Sequence, residues 1–168
     1  MEELVDLVLS LNEQIRKEIP EINYGGCGVF SLIIAKQLEL LGYSPVISIL
    51  TNSFEEKVEG KKKILNEVMN GNKVYPSQKS DTSFAHCCIE VGGLIFDGKT
   101  IGVAFKEQWR NYPITGSYSI KELSLALKIG SWNDDYSRKH CNPKLRRIIK
   151  NTIKKLFHVE HERLSFSL

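Results

Sequence analysis

A helix that is apolar on nearly every side sets the strongest limit on how this chain can fold. The segment begins at Cys27, ends near Leu41 and is followed by Gly42. Its apolar residues are Val29, Phe30, Leu32, Ile33, Ile34, Ala35, Leu38, Leu40 and Leu41. Because such a helix has almost no polar face to turn to water, other elements have to surround it. The segment therefore predicts a buried central helix that stops at Gly42.

The segments that follow this helix predict a sheet beside it. Residues 44–51 are rich in β-branched side chains and predict a strand. Residues 83–100 contain two short apolar runs around Gly92 and Gly93, a pattern typical of a β-hairpin. We therefore predict an α+β fold in which the buried central helix packs on an antiparallel β-sheet.

Four other segments have the apolar spacing or composition of helices. They are an N-terminal amphipathic helix within residues 1–22, a solvated helix over 53–71 interrupted near Gly60, a short helix over 119–128 opened by Ser119, and a basic C-terminal helix over 142–157. Neither a repeat nor a low-complexity linker divides the sequence. Residues 1–168 are therefore predicted to form a single domain.

Net charge, cysteine spacing and the N-terminal residues indicate the cellular compartment of the protein. The formal net charge is only +3, and the four cysteines are irregularly spaced. The first ten residues carry acids where a secretory signal carries Lys or Arg, and no apolar run reaches the ~18 residues that span a bilayer. The cysteines are therefore expected to be reduced thiols in an intracellular, cytoplasmic protein without a membrane partner.

Cys27 opens the buried helix and lies between Gly26 and Gly28. The first turn of a helix stabilises a thiolate through unpaired backbone N–H groups and the positive end of the helix dipole. Flanking glycines allow a substrate to approach closely. Free cysteine is also among the most frequently buried residue types, so a packing role is the competing interpretation. The glycines and the helix-opening position favour a nucleophile.

His86 and Asp97 lie on the two strands of the predicted hairpin. A loop at residues 91–92 pairs them directly, whereas a loop at residues 92–93 leaves them one diagonal apart. Both registers place the two side chains on the same sheet face, because side chains alternate with period two. A cysteine nucleophile needs an imidazole to share its proton and a polar group to fix the imidazole tautomer. The sequence therefore predicts a Cys27, His86 and Asp97 triad.

The segments GGCGVFSLIIAKQLELLG and AHCCIEVGGLIFDG together resemble the core of the papain-like and transglutaminase-like cysteine enzyme superfamily. In that superfamily the nucleophile opens a buried central helix, the histidine begins a strand, and a polar residue lies on the next strand. The resemblance implies that Cys27 is the nucleophile, His86 the general base and acid, and Asp97 the orienting carboxylate. It also implies a papain-like/transglutaminase-like fold.

The same resemblance implies a class of reaction. The implied enzyme is a cysteine-dependent hydrolase or acyltransferase that forms a covalent thioester. Its activity would be that of a peptidase, a deamidase or a transglutaminase-like enzyme. The substrate would be the amide or ester carbonyl of a protein, a peptide or a small amide. Neither a cofactor nor a metal is implied.

The residues around the nucleophile depart from the papain pattern. Papain-type peptidases carry a glutamine several residues before the nucleophile, and this chain has none at that distance. Asn23 and Tyr24 are instead the candidates for a second oxyanion donor beside the nucleophile's own amide, with Gly26 next to them. Trp132 is a candidate for lining an acyl-binding cleft, although a single tryptophan is more often a core residue.

A zinc site is a second hypothesis from a different class. The chemically suitable ligands are His86, Cys87, Cys88, His140 and Cys141. Adjacent residues on a strand point to opposite faces, and no C-x-x-C spacing occurs, so this site is disfavoured. Cys87 and Cys88 are instead interpreted as strand packing, one inward and one outward, with no catalytic part.

A non-catalytic papain-like binding module is the third hypothesis. Eight cations with no acid among them lie near the C-terminus: Arg138, Lys139, Lys144, Arg146, Arg147, Lys150, Lys154 and Lys155. Such a run attracts nucleic acid or an acidic partner. Because these residues lie opposite an apolar stripe on the predicted helix, a solvated face is the favoured interpretation and nucleic acid is not.

Overall fold

The computed structural model describes residues 2–19, 26–50, 58–75, 84, 86–97, 104–105, 114–129 and 142–157. The helices are α1 (Glu2–Glu18), α2 (Cys27–Leu40), α3 (Val58–Met69), α4 (Ile120–Ile129) and α5 (Asn142–Phe157). The strands are β1 (Val46–Leu50), β2 (His86–Val91), β3 (Leu94–Phe96), β4 (Ala104–Phe105) and β5 (Ile114–Tyr118). None of the described helices is long and apolar enough to cross a membrane.

The strands form one antiparallel sheet in the order β4-β3-β2-β1-β5. Between β2 and β3, Val91 pairs with Leu94, so Gly92 and Gly93 form the two-residue loop. Their φ angles are 57° and 77°, and glycine accepts two successive positive φ values at little cost. This is the second of the two registers allowed by the sequence, and it leaves His86 and Asp97 one diagonal apart.

Helix α2 packs on β1 and β2 and also contacts α4 and α5. Every residue from Gly26 to Ala35 is buried, and only Glu39 and Leu40 at its end are exposed. Gly42 ends the helix with a φ of 88°, where the Tyr43 N–H donates to the Leu38 carbonyl at 2.9 Å. The predicted α+β arrangement, with a buried helix on an antiparallel sheet, is confirmed.

Helix α3 differs from the sequence prediction, because Gly60 lies within its first turns and does not interrupt it. A glycine inside a helix costs about 1 kcal/mol relative to alanine. Val58 and Leu65 are both fully buried, and burying one such side chain contributes about 1.5–3 kcal/mol. Their packing therefore outweighs the local penalty. Residues 53–57 of the predicted segment lie outside the described residues.

Helix α4 begins with a reciprocal cap, as the position of Ser119 predicts. The Glu122 N–H donates to the Ser119 hydroxyl at 3.1 Å, and the Ser119 N–H donates to the Glu122 carboxylate at 2.7 Å. These two bonds satisfy backbone N–H groups at the helix start. They fix the start of α4, and Leu127 of this helix packs over the first turn of α2.

Strand β5 carries no clear strand signal in the sequence, because Gly116 and Ser117 interrupt its apolar pattern. It pairs with β1 at the edge of the sheet. A Cβ atom at Gly116 would lie 2.8 Å from Cβ of Val58 and 3.2 Å from its Cγ2. Helix α3 therefore packs directly against the backbone of β5, and this close approach explains the glycine.

Replacing Gly116 by alanine is expected to lower the free energy of unfolding by about 1–3 kcal/mol, because the stiff, β-branched Val58 side chain cannot move aside. Chemical denaturation followed by circular dichroism measures this change. Gly60→Ala is the matched control on α3, since nothing lies within 4 Å of its added Cβ atom. That control is expected to be neutral or stabilising. Equal stability of the Gly116→Ala variant and the parent would contradict the proposed packing.

Candidate active site

Cys27 is the first residue of α2, and Gly26 is the residue that caps this helix. The Gly26 carbonyl accepts a hydrogen bond from the Phe30 N–H at 2.9 Å, so the first turn is fully formed. Cys27 is 8% exposed. Cys27 therefore occupies the helix-opening position that the sequence predicts, at the end of α2 whose N–H groups have no partner within the helix.

Gly28 allows two other side chains to cover the first turn of α2. A Cβ atom at Gly28 would lie 2.7 Å from Cδ2 of Leu127 and 3.5 Å from Cζ of Phe84. Phe84 in turn makes an edge-to-face contact with Tyr118, at a ring-centroid distance of 6.2 Å. Gly28 therefore serves the packing of apolar side chains over the first turn of α2.

His86 begins β2, and Asp97 directly follows the end of β3. The two side chains are joined by a hydrogen bond between Nε2 of His86 and Oδ2 of Asp97. Asp97 is 1% exposed, whereas the His86 side chain retains 15% exposure. This bond fixes the orientation of the imidazole ring and leaves Nδ1 as the nitrogen that can exchange a proton with a thiol.

The pKa of the Cys27 thiol lies well below its ordinary value. A hydrogen bond from the Cys87 thiol is the largest cause, burial acts in the opposite direction, and the hydrogen bond and positive charge of His86 lower the pKa further. Hydrogen bonds to the charged form and a nearby opposite charge both favour that form. The site therefore favours the thiolate form of Cys27 over that of an ordinary cysteine.

The pKa of His86 is raised from 6.5 to about 9. Burial alone would lower it, but the hydrogen bond to Asp97, the hydrogen bond to Cys27 and the negative charges of both partners outweigh burial. Over the interval between the pKa values of the two groups, Cys27 and His86 form a thiolate–imidazolium pair. This is the protonation state that a cysteine nucleophile requires.

The contact between Cys87 and Cys27 is a feature of the candidate site that the sequence prediction missed. The predicted alternation of Cys87 and Cys88 is confirmed, since Cys88 packs on the other sheet face with Leu50 and Ile95. Cys87, however, faces α2 and contacts the Cys27 thiol, in addition to packing. Cys87 shares one side of β2 with Ile89 and Val91, and this period-two apolar pattern is the signal that directs it toward α2.

Several predicted residues lie outside the described residues. They are Asn23 and Tyr24, the candidate oxyanion donors, Trp132, the candidate cleft residue, and His140 and Cys141 of the zinc hypothesis. Among the residues that the structure does describe, no three His, Cys, Asp or Glu side chains are grouped so that they could hold a metal ion.

The basic helix α5 packs as an amphipathic helix. Leu145, Ile148 and Ile149 are buried, while Lys144 and Arg147 are exposed. Arg147 forms an ion pair with Glu18 of α1. The side chains of Lys150, Lys154 and Lys155, and all of Arg138 and Lys139, lie outside the described residues. The described part of this helix has the solvated basic face that the sequence favours.

Comparison with known proteins assigns no relationship: no protein-family model, no curated protein and no solved structure matches this chain.

Proposed function

We propose that this protein is a cysteine-dependent hydrolase or acyltransferase with a papain-like/transglutaminase-like fold. The observation that carries the proposal is the hydrogen-bonded pair of His86 and Asp97 beside a thiol at the first residue of a buried helix. The order Cys27, His86, Asp97 and the elements that hold them are those expected of the superfamily. The substrate is an amide or ester carbonyl of a protein, a peptide or a small amide.

The reaction begins when the Cys27 thiolate attacks the carbonyl carbon and forms a C–S bond. The negative charge moves to the carbonyl oxygen, where unpaired N–H groups at the start of α2 stabilise it, with Asn23 or Tyr24 as the proposed second donor. As the tetrahedral intermediate collapses, the imidazolium of His86 gives its proton to the leaving amine or alcohol. The product is released and a thioester remains on Cys27.

The second half of the reaction regenerates the enzyme. Neutral His86 removes a proton from water or an acceptor amine, which attacks the thioester carbonyl. The C–S bond breaks, the Cys27 thiolate departs, and His86 is again an imidazolium paired with Asp97. Attack by water gives hydrolysis or deamidation, and attack by an amine gives acyl transfer. No step requires a cofactor.

A non-catalytic papain-like binding module is the weaker alternative. A module of that kind has no need of a buried carboxylate that orients an imidazole next to a low-pKa thiol. Its proposed basic surface is also partly engaged, because Arg147 pairs with Glu18. Nucleic acid or an acidic protein is therefore not the favoured partner.

The pH dependence of Cys27 alkylation tests the proposed function. Iodoacetamide is expected to label Cys27 faster than N-acetylcysteine at pH 6, because its pKa lies well below the ordinary range. Turnover of a peptide amide is expected to fall as the pH rises through about 9, where His86 loses the proton that it donates to the leaving amine. Alkylation does not need that proton and is expected to continue above pH 9.

Adducts are mapped by mass spectrometry, with buried Cys88 as the internal reference thiol. His86→Ala is expected to slow labelling of Cys27 at pH 6, since the imidazolium charge is lost. Labelling of Cys27 no faster than the free thiol at pH 6, and unchanged in His86→Ala, would contradict the proposed function.

A further inference from the structure

A second thiol lies against the nucleophile. Cys87 is fully buried on the face of β2 that packs on α2. Its Sγ atom lies 3.3 Å from Oγ of Ser31. Ser31 is four residues after Cys27, and side chains at positions i and i+4 are neighbours on one face of a helix. A side chain that contacts Ser31 from the sheet is therefore also next to Cys27.

The chemistry of Cys87 makes it a hydrogen-bond donor at this place. Burial, together with the negative charge of Cys27, raises the pKa of Cys87 well above its ordinary value. Cys87 thus keeps its proton under conditions in which Cys27 has lost its own. An S–H group is a weak donor, but hydrogen bonds to an ionised acceptor are about twice as strong as neutral ones.

Ser31 can hold Cys87 in either state of the nucleophile. A hydroxyl group both donates and accepts hydrogen bonds, and its hydrogen rotates to suit. When Cys27 is neutral, the Cys87 S–H can point to Ser31. When Cys27 is ionised, the S–H turns to the charged sulfur and the Ser31 hydroxyl donates to Sγ of Cys87.

We propose that Cys87 is a positioning residue of this active site, whose S–H donates a hydrogen bond to the Cys27 thiolate while the Ser31 hydroxyl fixes its direction. The inference rests on the proposed function, because it concerns the same nucleophile. It adds a donor that does not depend on the protonation of His86. During the second half-reaction, when His86 accepts a proton from the incoming water or amine, the Cys87 thiol stabilises the departing thiolate.

Four variants of the full chain test this role through the pH midpoint of Cys27 alkylation. Cys87→Ala is expected to raise the midpoint by about one pH unit, which corresponds to a roughly tenfold lower labelling rate at a fixed pH below it. Cys87→Ser keeps an O–H donor and is expected to restore most of the parent midpoint. Ser31→Ala is expected to raise it by less than Cys87→Ala. Cys88→Ala removes a buried thiol that faces away from α2 and packs with Leu50 and Ile95, and as the control it is expected to leave the midpoint unchanged.

Circular dichroism establishes that each variant is folded before labelling. An unchanged midpoint in folded Cys87→Ala would overturn the inference. Equal shifts in Cys87→Ala and Cys87→Ser would also overturn it, because they would show that the hydrogen-bond donor at position 87 does not affect the midpoint. If Cys87→Ala does not fold, an unchanged midpoint in Ser31→Ala overturns it instead. An ordinary midpoint in the parent chain is a different result, because it refutes the proposed function itself.

Discussion

Replacement of Cys27 by alanine is expected to reduce the turnover of activated esters or amides by about 10⁴-fold or more, because no thioester can form without the sulfur. The substitution removes a single buried atom at the start of α2, so the fold is expected to persist. The measurement is the initial rate of product release from a panel of p-nitrophenyl esters and peptide amides. Mass spectrometry of the stopped reaction detects the acyl adduct in the parent chain.

The control for this prediction is Cys88→Ala. Cys88 is also fully buried, but it faces away from α2 and packs with Leu50 and Ile95. Its loss is expected to leave both the turnover and the acyl adduct intact. A Cys27→Ala variant with the turnover of the parent, or an acyl adduct that maps to another cysteine, would refute the assignment of the nucleophile.

Replacement of Asp97 by alanine is expected to reduce turnover by roughly 10²- to 10⁴-fold, since the imidazole loses the partner that fixes its tautomer. The fall of activity at high pH is also expected to move below pH 9, because the hydrogen bond that His86 donates to Asp97 is the foremost of the interactions that raise the pKa of His86. Asp97→Asn retains an oxygen that accepts from Nε2, so its loss of turnover is expected to be smaller. Rate profiles between pH 5 and pH 10 measure both effects.

A second acidic residue on the sheet face of His86 and Asp97 tests whether Asp97 acts by orienting the imidazole or only through its negative charge. Glu90 lies on β2, two alternations along from His86, and bonds to the Ser48 hydroxyl. Glu90→Gln is expected to leave both turnover and the upper pH limit unchanged. A profile that shifts equally in Glu90→Gln and Asp97→Ala would show that another carboxylate on this face has the same effect, and Asp97 would lose its assigned role.

Local patterns in the sequence were enough to predict the elements that hold the candidate triad. The apolar circumference of residues 27–41 predicts a buried helix because hydrophobic periodicity reports burial directly. The pair Gly92 and Gly93 predicts a hairpin, and period-two alternation places His86 and Asp97 on one face in either register. The sequence does not distinguish a loop at residues 91–92 from one at 92–93, because both leave the same side chains on each sheet face. The pairing of Val91 with Leu94 in the structure identifies the second loop.

The contacts that complete the site depend on how separate elements pack. Cys87 and Ser31 are 56 positions apart in the chain. They meet only because α2 packs on β2 at one particular position and rotation about its axis. The same holds for Gly116 against Val58, where two elements approach more closely than any side chain would allow. Local periodicity records which face of an element is buried. Which side chains then meet is decided by long-range packing, since a shift of one residue between helix and sheet changes every partner.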